Sequence, residues 1–234
     1  PGRFKQTLSE SSFDAWIKYY RPNENSPNAT VSYYSKGALL ALALDLTIRH
    51  ASHQRRSLDD IMRILWQKFG RDFYHGHPHG IAEDQVIALF NEATGLQLDA
   101  WLERALESTH DLPLAELLQK TGFTLKPIRS TSPPGLGVRL REDSHTVRLG
   151  CVYEDSPAQR AGLSAGDILI AMDGLRIKPN QMNTLLNRYQ VGDKVELHVF
   201  RRDELCVFQL QLGEPELERY AITSTSSRKR HVIG

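Results

Sequence analysis

Nine histidines, two cysteines and the tyrosine pair Tyr33 and Tyr34 are the residues here whose types and spacing could do chemistry. A zinc-holding helix needs two histidines four apart with a glutamate general base between them, as H-E-x-x-H. His50 and His53 stand three apart with no glutamate between them. His75 and His79 are four apart, but Gly76, His77 and Pro78 lie between them and cannot continue a helix. The alternation His75, His77, His79 offers imidazoles to a transition metal, yet its Gly- and Pro-rich setting reads as an exposed turn. No metal is therefore expected in this chain. Cys151 and Cys206 are too few for a disulfide framework and too far apart for paired metal ligands, and they read as buried thiols in strands. No G-x-S-x-G segment supports a serine nucleophile, and no Gly-rich lysine motif supports phosphate binding. The most unusual feature left is Tyr33, Tyr34, Ser35, Lys36 and Gly37, running straight into an apolar helix. Taken alone, it also fits a pair of core aromatics at a helix start.

Two kinds of element must position these residues. Up to about Leu118 the apolar pattern has a helical period, and from about Phe123 it changes to short strands with turns between them. Phe13, Trp16, Ile17 and Tyr20 fall at i, i+3, i+4 and i+7 and predict one apolar stripe. Pro22 to Pro27 is a loop. Gly37 to Ile48 is apolar on nearly every face, which calls for enclosure on all sides and suggests a missing partner layer. Ser57 and Asp60 cap the next helix, whose predicted buried face is Ile61, Leu65 and Phe69, with Gly70 after its last turn. Val86, Leu89, Phe90 and Ala93 repeat the pattern up to Gly95, Trp101 to Leu106 follows, and Pro113 opens a last short helix.

In the back part, Ser156 is a good N-cap, Pro157 suits the first helical position and Gly162 can supply a left-handed stop. A strand Ile168 to Met172 then closes on the turn pair Asp173 and Gly174. Val147 to Cys151, Val195 to Val199 and Cys206 to Leu212 alternate as half-buried strands. Asn180 to Tyr189 carries Met182, Leu185, Leu186 and Tyr189 at helical spacing.

The chain has 234 residues, is 40% hydrophobic and 24% charged, and carries a formal charge of +1, so nothing global argues for nucleic acid. No apolar run approaches the roughly 20 residues that cross a bilayer, and no membrane partner is expected. The chain starts without Met or a charged-then-apolar leader, so its start looks processed or truncated; a cytoplasmic location is the expectation. The basic run Arg228 to His231 reads as part of a solvated tail.

The run from Ser156 to Gly174 resembles one half of a PDZ domain. Such a domain binds a peptide end through a glycine loop whose N–H groups converge on the carboxylate, while the peptide adds a strand to a sheet edge. Gly135, Leu136, Gly137 and Val138 look like that loop, followed by the receiving strand Val138 to Arg141 with Leu140 in it, and Met182, Leu185 and Leu186 would line the side-chain pocket. The resemblance thus implies a peptide or protein C-terminus as partner.

The segment Tyr33 to Gly37 resembles the Y-x-K-G of zinc aminopeptidases of the thermolysin-like, or gluzincin, superfamily. There a tyrosine donates its hydroxyl to the oxyanion of the reacting carbonyl, a role that falls on Tyr34. SFDAWIKYY (Ser12 to Tyr20), RPNENSPN (Arg21 to Asn28), YYSKGALLALALDL (Tyr33 to Leu46) and SLDDIMRILW (Ser57 to Trp66), followed by a PDZ domain, closely resemble the glycyl aminopeptidase family of zinc metallopeptidases. This resemblance runs from about Thr7 to Leu212.

It implies a multi-domain α and β fold: an all-helical C-terminal lobe of a gluzincin catalytic domain over 1–121, a PDZ domain of a small antiparallel sheet and two helices over 122–213, and a flexible tail over 214–234. It also implies zinc in the full-length parent, held by ligands outside this chain, and the missing N-terminal part of the same polypeptide as a partner. The expected function is that of a C-terminal fragment, inactive alone, of an aminopeptidase that removes small N-terminal residues such as Gly or Ala. The rival reading is a non-enzymatic PDZ adaptor; an orphaned helical lobe would differ from it by an exposed apolar surface around Leu39 and Leu42.

Overall fold

A computed structural model of the chain describes residues 1–76, 78–129, 133–215 and 217–225. Its helices are α1 (Leu8–Phe13), α2 (Ser26–Ala29), α3 (Tyr33–Ala51), α4 (Leu58–Leu65), α5 (Val86–Thr94), α6 (Asp99–Glu107), α7 (Leu114–Lys120), α8 (Pro157–Arg160) and α9 (Met182–Leu186). Its strands are β1 (Phe123–Arg129), β2 (Val138–Glu142), β3 (Val147–Val152), β4 (Ile168–Met172), β5 (Leu175–Arg176), β6 (Lys194–Arg201), β7 (Glu204–Gln211) and β8 (Leu217–Ser224). Contacts divide the chain into two compact units. One takes Pro1–Lys5, Trp16–Thr30 and Lys126–Ala221; the other takes Gln6–Ala15, Val31–Leu125 and residues 222–225. The reading of 1–121 as one helical body thus differs from the contacts, which group Trp16–Thr30 with the sheet. No helix among the described residues is long and apolar enough to cross a membrane.

The sheet unit is antiparallel, in the order β2-β3-β4-β6-β7, with β5 pairing β4. Burial alternates along β6, where Val195, Leu197 and Val199 point into a core shared with Val147, Leu149, Leu169 and Leu210. The local signals act as expected: the Ser156 hydroxyl accepts from Gln159 N–H, Gly162 is left-handed, and Asp173 and Gly174 both have positive φ. Asp167, 1% exposed, is held by two bonds of 2.8 Å from the Arg201 guanidinium, which also donates to the Gly162 carbonyl. This fork ties the turn before β4 to the end of β6.

The segment Trp16–Thr30 meets this unit at the Asn28 amide. Asn28 Nδ2 donates to the Val152 carbonyl at 2.8 Å, and its Oδ1 accepts from Glu154 N–H at 3.0 Å. Asn28 is buried, so both halves of its amide need such partners. Lys5 adds an ion pair to Glu154 at 3.1 Å.

β1 and β8 form a separate two-stranded sheet. The tail expected from residue 214 therefore holds a strand, because its β-prone residues find a partner distant in sequence. The basic run Arg228 to His231 lies outside the described residues.

In the helical unit, α3 starts on Ser32, whose hydroxyl accepts from Ser35 N–H. Leu44 and Ile48 on α3 pack with Ile61, Ala93, Leu98 and Leu102. Asp45 of α3 accepts from Leu58 N–H and pairs with Arg49, which fixes the start of α4. Asp60 accepts from Ser57 N–H, the main reason its carboxyl lies below the ordinary range. Gly95 ends α5 at φ +71°.

Two apolar surfaces depart from the sequence expectation. The helical stripe does not form: α1 stops at Phe13, and the chain continues in a wider π turn over Ala15–Tyr19. The change of pitch takes these side chains off a common α-helical face. Phe13 is 91% exposed and Trp16 79%. On α3, enclosure is one-sided, since Tyr34, Leu39 and Leu42 stay exposed.

Candidate functional site

The glycine loop is built by spending its carbonyls on the protein. Gly135 and Gly213 exchange two backbone bonds of 3.0 Å. The Leu136 carbonyl accepts from Ala158 N–H, and that of Gly137 accepts from Tyr153 N–H, both at 3.0 Å. Gly137 has φ +73°, and a Cβ there would stand 2.3 Å from Ser156 Cβ, so no larger residue fits. Among the described residues, the N–H groups of Leu136 and Gly137 have no acceptor. Two successive unspent amide donors are what an anion such as a carboxylate requires.

The loop leads into β2, which lies at the end of the sheet and pairs only with β3 among the described residues. Val138 and Leu140 pack against the core cluster that holds Met182, Leu185 and Leu186. The structure thus brings these sequence-expected site residues together. It also buries Met182, Leu185 and Leu186 within that core, leaving half-buried Val138 and Leu140 as the more accessible apolar atoms.

The helix expected over Asn180 to Tyr189 is shorter, Met182–Leu186, because Asn180 adopts a positive φ just before it. Its flanks are pinned instead. Asn180 N–H donates to Glu142 Oε2 at 2.6 Å, and the Tyr189 hydroxyl donates to Asp173 Oδ2 at 2.9 Å. Burial, then that bond, raise the Tyr189 phenol above its ordinary value.

Sequence reasoning placed Arg139 and Arg141 on the receiving strand but gave them no role; they project from β2 on the side away from Val138 and Leu140 and are exposed. Their i, i+2 spacing was a readable signal. Asn28 was also missed, and no local pattern reports a partner more than a hundred residues away.

A second group of residues sits at the start of α3. Tyr34 lies in its first turn, 58% exposed, with its ring stacked on Tyr33 at a centroid distance of 4.2 Å. Tyr33 lines an open cavity of about 600 Å³ with Ser9, Phe13, Glu83 and Glu107 among its walls, and the Ser9 hydroxyl donates to Glu107. The bland expectation of two core aromatics fails for Tyr34, which faces outward. Lys36 turns the other way: it is buried, its ammonium donates to the Ser108 carbonyl at 3.4 Å, and burial lowers its pKa against the opposing pull of Asp111. Lysine here tethers α3 to the end of α6.

The histidine turn is different in kind. His75 and His79 are exposed, His79 meets the Phe69 ring edge-on, and His77 lies outside the described residues. Among the described residues no group of three or more His, Cys, Asp or Glu side chains could hold a metal.

Residues 1–40 match the family model of the M61 glycyl aminopeptidases, and residues 134–212 match that of the PDZ domain. An aminopeptidase N family protein from Idiomarina loihiensis has a similar solved structure, with a TM-score of 0.86 and 36% identity over 96% of this chain and 40% of that one. The chain thus spans 40% of the length of that relative. The HtrA-type protease AlgW with a decapeptide aligns at 20% identity over 36% of this chain and 30% of its own, with a TM-score of 0.34. That score is too low to carry an argument. No curated protein matches. Tyr34 lies within the first matched stretch and the glycine loop within the second, so the chain carries a segment similar to the M61 glycyl aminopeptidases and, after it, one similar to PDZ domains.

Proposed function

We propose that this chain is part of a zinc-dependent metalloaminopeptidase of the gluzincin type, which removes small N-terminal residues such as Gly or Ala from peptides. Its PDZ domain recruits peptide or packs on the catalytic domain. The described residues do not fit a zinc ion, so the reading assigns the metal ligands to another part of the polypeptide and derives no step through the metal.

The contribution of this chain is Tyr34. The observation that carries the reading is its exposed ring in the first turn of α3, inside the stretch that matches the peptidase family. A tyrosine hydroxyl is a neutral donor, able to bond a carbonyl oxygen as that oxygen gains negative charge. The N-terminal end of a 19-residue helix favours the same charge. Stacking on Tyr33 restricts the ring, and the buried Lys36 keeps its ammonium away from the same oxygen.

The test is Tyr34→Phe in the full-length polypeptide, assayed on aminoacyl substrates. It should lower kcat roughly 10²–10³-fold and leave KM within about threefold, the pattern of a contact made in the transition state. A loss of kcat under about threefold would remove Tyr34 from the chemistry. The isolated chain should hydrolyse none of these substrates.

A further inference from the structure

We propose that the edge of β2 takes an acidic polypeptide C-terminus, with Asp or Glu at its penultimate and fourth-from-last positions. This rests on reading the loop Gly135–Val138 as a carboxylate site.

A peptide whose terminal carboxylate meets the N–H groups of Leu136 and Gly137 continues along β2 as an added antiparallel strand. Alternate side chains of that strand face opposite sides of the sheet. The last residue falls on the side of Val138 and Leu140, so its side chain should be apolar. The penultimate and fourth-from-last residues fall on the other side, where Arg139 and Arg141 project.

These two arginines are not otherwise engaged. Among the described residues neither has a hydrogen-bond or ion-pair partner, and the nearby carboxylates are occupied. Glu142 accepts from Asn180 N–H, and Asp143 accepts from Thr146 and from His145 N–H within the β2–β3 turn.

Arg141 also stands directly opposite Arg148 on β3, on the same face. A like-charge pair across strands is unfavourable unless an anion lies between the two. Gly150 leaves room for this arrangement: a Cβ there would come within 2.7 Å of Arg141 Cγ, so the arginine stem lies across the bare backbone. Arg148 is steadied by its bond to the Gly166 carbonyl at 2.8 Å.

The experiment titrates the whole chain with fluorescent heptapeptides ending in valine. One carries Asp at the penultimate and fourth-from-last positions, a second Ser, a third Lys, and a fourth is the Asp peptide with an amidated end. The Asp peptide should bind about tenfold tighter than the Ser peptide, and the Lys peptide more weakly than both. The gap should shrink as salt rises from about 0.05 M to about 0.5 M. In an Arg139→Ser, Arg141→Ser double variant that keeps the parent's circular dichroism spectrum, the gap should fall below about twofold. Equal binding of the Asp and Ser peptides, with amidation abolishing the Asp peptide's binding, would overturn the acidic preference and leave the carboxylate site standing. No binding by any free-acid peptide would overturn the site and the preference with it.

Discussion

The sheet unit and the helical unit solve the problem of burial differently. In the first, β3, β4, β6 and β7 and the short helices close a core around Leu149, Leu197 and Leu210 using residues of that unit alone. In the second, α3 buries Leu44 and Ile48 against α4, α5 and α6 while Leu39 and Leu42 face outward. Hydrophobic composition alone does not decide which surface is covered; the arrangement of neighbouring elements does. An apolar patch left open on a packed element can serve as an interaction surface, and the sheet unit leaves one of its own outside its closed core, at Phe200, Leu205 and Val207 on β6 and β7.

A matched pair of variants tests that contrast most severely. Leu197→Ala, at a fully buried site, should cost about 3–4 kcal/mol in urea unfolding. Leu42→Ser should change stability by less than about 0.5 kcal/mol and reduce binding of a hydrophobic dye. A large loss from Leu42→Ser would erase the difference between the two units. Asp167→Ala should rank next, at about 2–3 kcal/mol, because it strands Arg201 and the Ser164 N–H that donates to the same carboxylate. A loss below about 0.5 kcal/mol would mean that the fork is ornamental to the sheet core.

The smallest effect concerns pH. Hydrogen bonds from the Thr146 hydroxyl and then from the His145 and Thr146 N–H groups hold the Asp143 carboxyl at about 2, down from 3.8. A depressed carboxyl stabilises the folded turn above its unfolded value and loses that contribution as pH falls towards 2. The Asp143 carboxyl resonance should therefore titrate near 2 by NMR, and Asp143→Asn should flatten the acid response of the turn. A midpoint near 4 would show the turn's bonds to be absent in solution.

Much of the sheet unit was legible in the sequence because its signals are local. Ser156, Pro157 and Gly162 bound a helix within a few residues, and Asp173 with Gly174 closes a turn by conformation alone. The glycine loop was likewise readable, since Gly137 meets a backbone requirement that another residue cannot. What escaped was set by distant partners. The strand β8 needs β1, the position of Trp16–Thr30 needs Asn28 against β3, and the exposure of Tyr34 depends on which elements stand over α3. The Phe13 to Tyr20 stripe misled for a related reason: helical periodicity was assumed to continue through residues that the chain winds into a wider turn.

The Asn28 amide also sets a clock. Its acceptor, the Val152 carbonyl, lies 124 residues further along the chain. At a synthesis rate of about 5–20 residues per second, roughly 6–25 s pass before that carbonyl is made. Until then, Trp16–Thr30 has no sheet to settle on, and Trp16, Ile17 and Tyr20 emerge beside a loop whose anchor does not yet exist. The unit that takes in Pro1–Lys5 and Trp16–Thr30 therefore cannot close until Val152 has been made, although those two segments leave the ribosome well before it.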